Sequence, residues 1–149
     1  MREIDIEVVD DFVSPSYLKA IQDSLTADSF DWHFQASQSL TEWDEYTIQD
    51  FGFSHGLLPP WQQNQFVETA PAYFMAPLIY QIKDHIEAQN ILRVRLDMTV
   101  LHKEGYIHPP HIDVTPPHVA AIVYVNETDG PTVIYDHKGQ FGGPFPDQM

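Results

Sequence analysis

The stretch that decides the fold is LRVRLDMTVL, residues 92–101, in which apolar and polar side chains alternate. A period of two is typical of a β-strand, whose successive side chains point to opposite faces. The run Val119–Val125 is apolar throughout, as expected of a strand that is buried on both faces. A turn at Asn126–Gly130 and a returning strand at Thr132–Tyr135 follow it. The chain from about residue 91 to 149 is therefore predicted to form antiparallel strands.

The chain before this stretch carries the signals of a helix. Ser14 suits the N-cap and Pro15 suits the first helical position. Leu18, Ile21 and Leu25 then repeat at helical spacing. These residues predict a helix that buries one apolar face.

Three further segments complete the first part of the chain. Ile4–Val9 reads as a strand because its apolar side chains alternate. Residues 28–66 are rich in scattered aromatic side chains and are predicted to be an irregular cover with one or two short strands. A second helix is expected from about Pro71 or Pro77 to Ala88.

Together these elements predict an α+β chain that is mainly β. Helices followed by a run of antiparallel strands indicate a double-stranded β-helix, or jelly roll, with the helical part of about residues 1–90 packed outside it. A jelly roll normally has about eight strands, and about four can be read after residue 92. The strand region at about 91–149 is therefore expected to be truncated at its C-terminal end.

Length and composition limit the possible classes of protein. A chain of 149 residues suits a single domain over residues 1–149. The absence of cysteine excludes disulfides, thiolate zinc sites and thiol nucleophiles, and it agrees with a cytoplasmic protein. Seven basic against 22 acidic side chains give a net charge of −15, so we expect no stable nucleic-acid binding. The chain has no apolar run of about 18 residues, so no membrane span is predicted. The oligomeric state is left open.

The segment His108-Pro109-Pro110-His111-Ile112-Asp113 lies between the two predicted strands. In an extended segment, the His111 and Asp113 side chains point to the same face. One imidazole nitrogen and one carboxylate oxygen can then bind a single ion. They would be two of the three ligands of the 2-His-1-carboxylate triad that holds Fe(II).

Two other interpretations of these histidines stay open. His111 and Asp113 can form an ordinary hydrogen bond in a loop bounded by prolines. Alternatively, His108, His111 and His118 can surround a different metal ion, as in a cupin-type protein.

The motifs of the C-terminal part occur in a specific order. They are Arg93-Val94-Arg95-Leu96-Asp97, Gly105-Tyr106, His111-Ile112-Asp113, Ile122-Val123-Tyr124-Val125-Asn126 and Asp129-Gly130-Pro131-Thr132-Val133-Ile134-Tyr135. In this order the chain resembles the 2-oxoglutarate/Fe(II)-dependent oxygenases, in particular the prolyl-4-hydroxylase-like branch and its phage and marine-microbial relatives. The resemblance covers less than a third of the chain.

The resemblance implies an enzyme that hydroxylates a small-molecule or peptide substrate, with Fe(II) and 2-oxoglutarate as cofactors and ascorbate as reductant. His111 and Asp113 would be the catalytic metal ligands. Tyr124 would donate a hydrogen bond to the 2-oxoglutarate carboxylate. Arg95 lies on the polar face of its strand, so it would line the co-substrate pocket, pair with Asp97 or remain in solvent.

Two parts of the family pattern are missing from the chain. The third ligand, a histidine on a later strand, has no clear counterpart, because His137 follows too soon after Asp113. The arginine or lysine that pairs with the far carboxylate of 2-oxoglutarate is also missing. The alternative is therefore a non-catalytic jelly-roll binding module.

Overall fold

The computed structural model describes residues 6–36, 51–100, 108, 111–114, 117–128 and 130–134. The elements are helix α1 at Pro15–Leu25, strand β1 at His33–Gln35, strand β2 at Gly52–Leu58, helix α2 at Ala70–His85 and strand β3 at Val94–Thr99. The three strands form one antiparallel sheet in the order β1-β2-β3. The predicted α+β class is thus confirmed at this coarse level.

Strand β2 lies at the centre of the sheet and carries a β-bulge. Gly56 is opposite Arg95 and Leu58 is opposite Val94, so Leu57 is the extra residue. The bulge explains why two consecutive leucines, Leu57 and Leu58, are both fully buried. Leu57 also accepts a backbone hydrogen bond of 2.9 Å from the Val67 N–H, which ties the chain before α2 to the sheet.

Helix α1 begins as its sequence predicts. The Ser14 hydroxyl accepts a hydrogen bond from the Tyr17 backbone N–H, and Pro15 follows as the first helical residue. Ile21 is fully buried, whereas Leu25 is half-buried in the last turn. The helix ends at Thr26, whose N–H still bonds to the Gln22 carbonyl.

Helix α2 contains a proline in its interior. The helix starts after the N-cap Thr69 and includes Pro77, which has no N–H to donate to the Tyr73 carbonyl. The Tyr17 hydroxyl of α1 donates a hydrogen bond of 2.8 Å to the next carbonyl, that of Phe74. Burial against the helix raises the pKa of Tyr17 above its usual value, and a backbone hydrogen bond at Leu78 opposes this shift.

The core lies between the two helices and the sheet. Its buried members come from α1, β2 and α2, and they are Ile21, Leu57, Ala72, Met75 and Leu78. Val94 and Leu96 of β3 pack against them, on the apolar face that the alternation in this strand predicts. Both helices therefore pack against the sheet, and burying these apolar side chains stabilises the fold.

Three predicted strands are wrong over the residues that the structure describes. Residues 6–9 form no strand and are exposed, and none of the three strands pairs with them. The run Val119–Val125 and residues 132–134 form no strand either. Their apolar side chains include exposed ones, namely Val119, Ile122, Val123, Tyr124, Val133 and Ile134. A strand needs a neighbouring backbone, and none of the described strands pairs with these segments.

The remaining boundaries agree more closely. The second helix ends at His85 rather than Ala88, and β3 starts two residues after the predicted start of its strand. The predicted irregular cover contains β1 and the central strand β2. No helix in the described ranges has the length and apolar character needed to cross a bilayer. Ile4, Asp5, Leu101 and Tyr135, which belong to predicted strands, lie outside the described residues.

Candidate functional site

The His-x-Asp pair lies on the surface of the molecule. His111 and Asp113 are both exposed. One guanidinium nitrogen of Arg93, Nη1, lies 3.2 Å from Asp113 Oδ1 and 3.3 Å from the Asp113 carbonyl oxygen. The arginine just before β3 therefore holds the carboxylate that the sequence predicts to bind a metal ion.

The two predicted co-substrate residues are engaged in local contacts. The Tyr124 hydroxyl forms a hydrogen bond with the Thr132 hydroxyl, and the Tyr124 side chain is exposed. Arg95 Nε lies 2.6 Å from Asp97 Oδ1, although this contact lacks the geometry of a hydrogen bond. Pairing of Arg95 with Asp97 was one of the alternatives that the sequence left open.

The three histidines of the cupin-type alternative do not gather around a common point. His108, His111 and His118 fall in the described part of the chain, and they do not bring three ligand atoms together there. His137 and the Gly105-Tyr106 motif lie outside the described residues. The cupin-type arrangement therefore gains no support.

Within the described ranges, one group of metal-ligating side chains does come together. Asp31, His33 and His55 each offer one ligand atom, and these three atoms lie within 4.8 Å of one another. His33 Nε2 lies 3.4 Å from Asp31 Oδ2. The rings of His33 and His55 stack with centroids 5.8 Å apart and planes inclined by 19°. We call these three residues the Asp31–His33–His55 cluster.

The end of α1 positions the first two members of the cluster. After α1, the Phe30 N–H bonds to the Ala27 carbonyl in a tight turn. The Trp32 indole N–H then donates a hydrogen bond of 3.2 Å to the Leu25 carbonyl, one of the carbonyls that a helix end leaves without a helical partner. This bond anchors the segment in which Trp32 lies between Asp31 and His33.

The sheet positions the third member. His55 lies on β2, one residue after Ser54, and Ser54 is the strand partner of His33. The His55 side chain is only 7% exposed. Its Nδ1 lies 2.8 Å from the Asp31 backbone oxygen. Because a carbonyl oxygen only accepts, Nδ1 must donate, and in the neutral imidazole the lone pair is then on Nε2.

The cluster borders an open cleft of about 360 Å³. The polar side chains of the cleft include Ser24, Ser29, Asp31, His55 and Thr69. Ser24 belongs to the last turn of α1, and Thr69 caps the start of α2. Two members of the cluster are thus accessible from a concavity that small molecules can enter.

The sequence carries one signal for this cluster, although the motifs in the chain did not predict it. Asp31 and His33 have the same i, i+2 spacing as His111 and Asp113, and the same argument about strand faces applies to them. His55 could not be added by spacing, because only the pairing of β1 with β2 brings it near.

Comparisons of the chain with protein-family models, with curated proteins and with solved structures give no match. The resemblance to the oxygenases therefore rests on the order of the motifs in the sequence.

Proposed function

We propose that the chain is a 2-oxoglutarate/Fe(II)-dependent dioxygenase of the prolyl-hydroxylase-like type, with a jelly-roll core, which hydroxylates a small-molecule or peptide substrate. The observation that carries the proposal is the motif order from His111-Ile112-Asp113 through Tyr124-Val125-Asn126 to the strand signal that begins at Thr132.

Two contacts support a common site for these motifs. The hydroxyls of Tyr124 and Thr132 meet, so the two segments that the family pattern places in neighbouring strands lie side by side. The carbonyl of Val125 accepts a hydrogen bond of 2.6 Å from the Gln22 side chain of α1. This bond fixes the segment that follows the His-x-Asp pair against the helical part.

The residues fit an iron site in kind but not in number. An imidazole and a carboxylate are ligands that suit Fe(II), but His111 and Asp113 find no third His, Asp or Glu beside them among the described residues. Bound iron and 2-oxoglutarate would supply the oxidising chemistry. His111 and Asp113 would hold the ion, and Arg93 would orient the Asp113 carboxylate, as partners of ligating carboxylates commonly do.

Two further side chains would act on the co-substrate. Tyr124 would donate a hydrogen bond from its hydroxyl to a 2-oxoglutarate carboxylate in place of its contact with Thr132. Arg95 would line the pocket only if it left Asp97. Both roles need a change in the contacts that these side chains now make.

The test is conversion of 2-oxoglutarate to succinate by the 149-residue chain, with Fe(II) and ascorbate supplied. We expect turnover above that of free iron, and its loss, by at least about tenfold, in His111→Ala and in Asp113→Ala. His118→Ala, in the same segment, is the matched control and should keep the activity. No turnover above free iron, or equal turnover in all variants, would contradict the proposal.

A second candidate is a non-catalytic binding module. The ion pair between Arg93 and Asp113 favours it, because the carboxylate already has a cationic partner. Calorimetric titration with Mn(II) and 2-oxoglutarate separates the two candidates. Stoichiometric binding of 2-oxoglutarate in the presence of Mn(II) that is lost in His111→Ala supports the oxygenase, whereas absence of 2-oxoglutarate binding supports the module.

A further inference from the structure

We infer that the Asp31–His33–His55 cluster binds a divalent transition-metal ion, at a site that opens into the adjacent cleft. The inference does not depend on the proposed oxygenase, because none of its residues belongs to the His111–Asp113 motif. It rests on the donor set, on the distances, on the way His55 is held and on the open cleft beside it.

The donors and their distances suit such an ion. Imidazole is a favoured ligand of Zn(II), Ni(II), Cu(II) and Fe(II), and one carboxylate adds negative charge. Two ligand atoms that each lie about 2.1 Å from an ion at a tetrahedral angle are about 3.4 Å apart. His33 Nε2 and Asp31 Oδ2 are separated by 3.4 Å. All three ligand atoms lie within 4.8 Å of one another, so a small movement of the side chains would let one ion contact all three.

His55 is held in the way that metal-binding histidines commonly are. A ligating imidazole usually donates its other N–H to a carbonyl or carboxylate, which fixes the ring and the tautomer. The Asp31 carbonyl accepts the Nδ1 proton of His55. The ring of Phe30 packs against the same imidazole at 5.1 Å. Asp31 would thus act twice, with its carboxylate as a ligand and with its carbonyl as the group that orients another ligand.

The surroundings favour a cation and leave room for a further ligand. The cluster follows the C-terminal end of α1, where the helix dipole is negative, and the whole chain carries a net charge of −15. Three protein ligands leave at least one coordination position for water or a small molecule. Asp31 and His55 both line the cleft, from which that ligand would enter.

The competing explanation is structural. In it, Asp31 and His33 form an ordinary surface ion pair, and His55 is a buried histidine that is satisfied by one carbonyl. The chain offers a matched example of such a pair, since His85 Nε2 lies 3.2 Å from Glu7 Oε1 without belonging to any group of three ligands in the described ranges.

The experiment is titration of the full 149-residue chain with Co(II), whose visible absorption reports its coordination, followed by displacement with Zn(II). The titration is repeated in the His111→Ala/Asp113→Ala double variant, which removes the proposed oxygenase ligands. We expect saturation at one equivalent in the double variant, and any second equivalent in the wild-type chain would belong to the His111–Asp113 motif. Failure of the proposed oxygenase therefore leaves this result unchanged.

The variants are chosen so that loss of folding does not imitate loss of binding. Asp31 and His33 are exposed, so Asp31→Asn and His33→Ala should keep the fold, which circular dichroism checks. In the double-variant background we expect each to weaken Co(II) binding by at least about tenfold. His85→Ala should have no effect. Absence of saturable binding, binding unchanged by Asp31→Asn and His33→Ala, or binding lost in the double variant would each overturn the inference.

Discussion

The helices and sheet of residues 15–99 differ sharply from the described segments after residue 108. The first region buries a continuous core between α1, α2 and β2. In the second region, Val125 is the one described partly buried apolar residue that packs against this core, and most of the apolar side chains of this region are exposed. The His-x-Asp motif lies in the second region, whereas the Asp31–His33–His55 cluster lies in the first. A sequence motif therefore identifies residues of the types that bind metal ions, but a packed backbone is needed to bring their ligand atoms together.

The largest expected effect comes from truncating isoleucines in the two regions. Ile21 is fully buried and Ile122 is 63% exposed. Ile21→Ala should lower the free energy of unfolding by about 3 kcal/mol, because it leaves a cavity in the core. Ile122→Ala should change it by less than about 0.5 kcal/mol. Urea denaturation followed by circular dichroism measures both values.

This pair of variants can also break the comparison. If Ile122→Ala costs as much as Ile21→Ala, the run Val119–Val125 is buried in a second packed layer. Such a result would favour the jelly roll that the sequence predicts.

A smaller effect is expected at the contact between the two helices. Tyr17→Phe removes the hydrogen bond to the Phe74 carbonyl and should cost about 1 kcal/mol at neutral pH. Burial raises the pKa of Tyr17 in the folded protein, so the folded state favours the neutral phenol. This contribution is complete below the unfolded pKa of about 10 and is lost as the pH rises through the folded pKa.

The stability difference between the wild-type chain and Tyr17→Phe should therefore shrink above about pH 10. Urea unfolding at a series of pH values measures it. Tyr73→Phe, at a 64% exposed position of α2, is the control at neutral pH and should change stability by less than about 0.5 kcal/mol. A difference that grows at alkaline pH would contradict the assigned direction of the shift.

The smallest effect is expected where the two regions meet. Arg93 and Asp113 keep 21% and 49% of their side-chain surfaces exposed. A double-mutant cycle with Arg93→Ala and Asp113→Ala should give a coupling of about 0.5 kcal/mol, as for other partly exposed ion pairs. The more exposed pair of Lys19 and Asp23 is the reference and should give no more. A coupling above about 2 kcal/mol would mean that this contact holds the motif far more firmly than its exposure indicates.

The sequence was informative where local chemistry decides the structure. Ser14 and Pro15 predict the start of α1, and the structure confirms both. The alternation at residues 92–101 predicts β3. The central position of strand β2 was not predicted. Apolar and polar residues do not alternate regularly along Gly52–Leu58, and its two glycines are disfavoured in strands. Its burial depends on two neighbours that are distant in the sequence.

The candidate sites show the same division. Spacing alone predicts that Asp31 and His33, or His111 and Asp113, share a face, but spacing does not say which pair meets further ligands. The register of β1 with β2 settles this for His55. Beside Asp113, the structure shows the cationic side chain of Arg93 and not a further ligand. Neither contact could be read from the order of residues.

The bulge at Leu57 has a consequence for how the chain could vary in length. Deleting Leu57 would leave Gly56 and Leu58 opposite consecutive residues of β3, so the strand ladder itself could close without a gap. The deletion would remove the carbonyl that receives the Val67 N–H and one fully buried side chain. In a scan of insertions and deletions in β2, the tolerated length changes would therefore be limited by the docking of the following helix and not by the hydrogen bonds of the sheet.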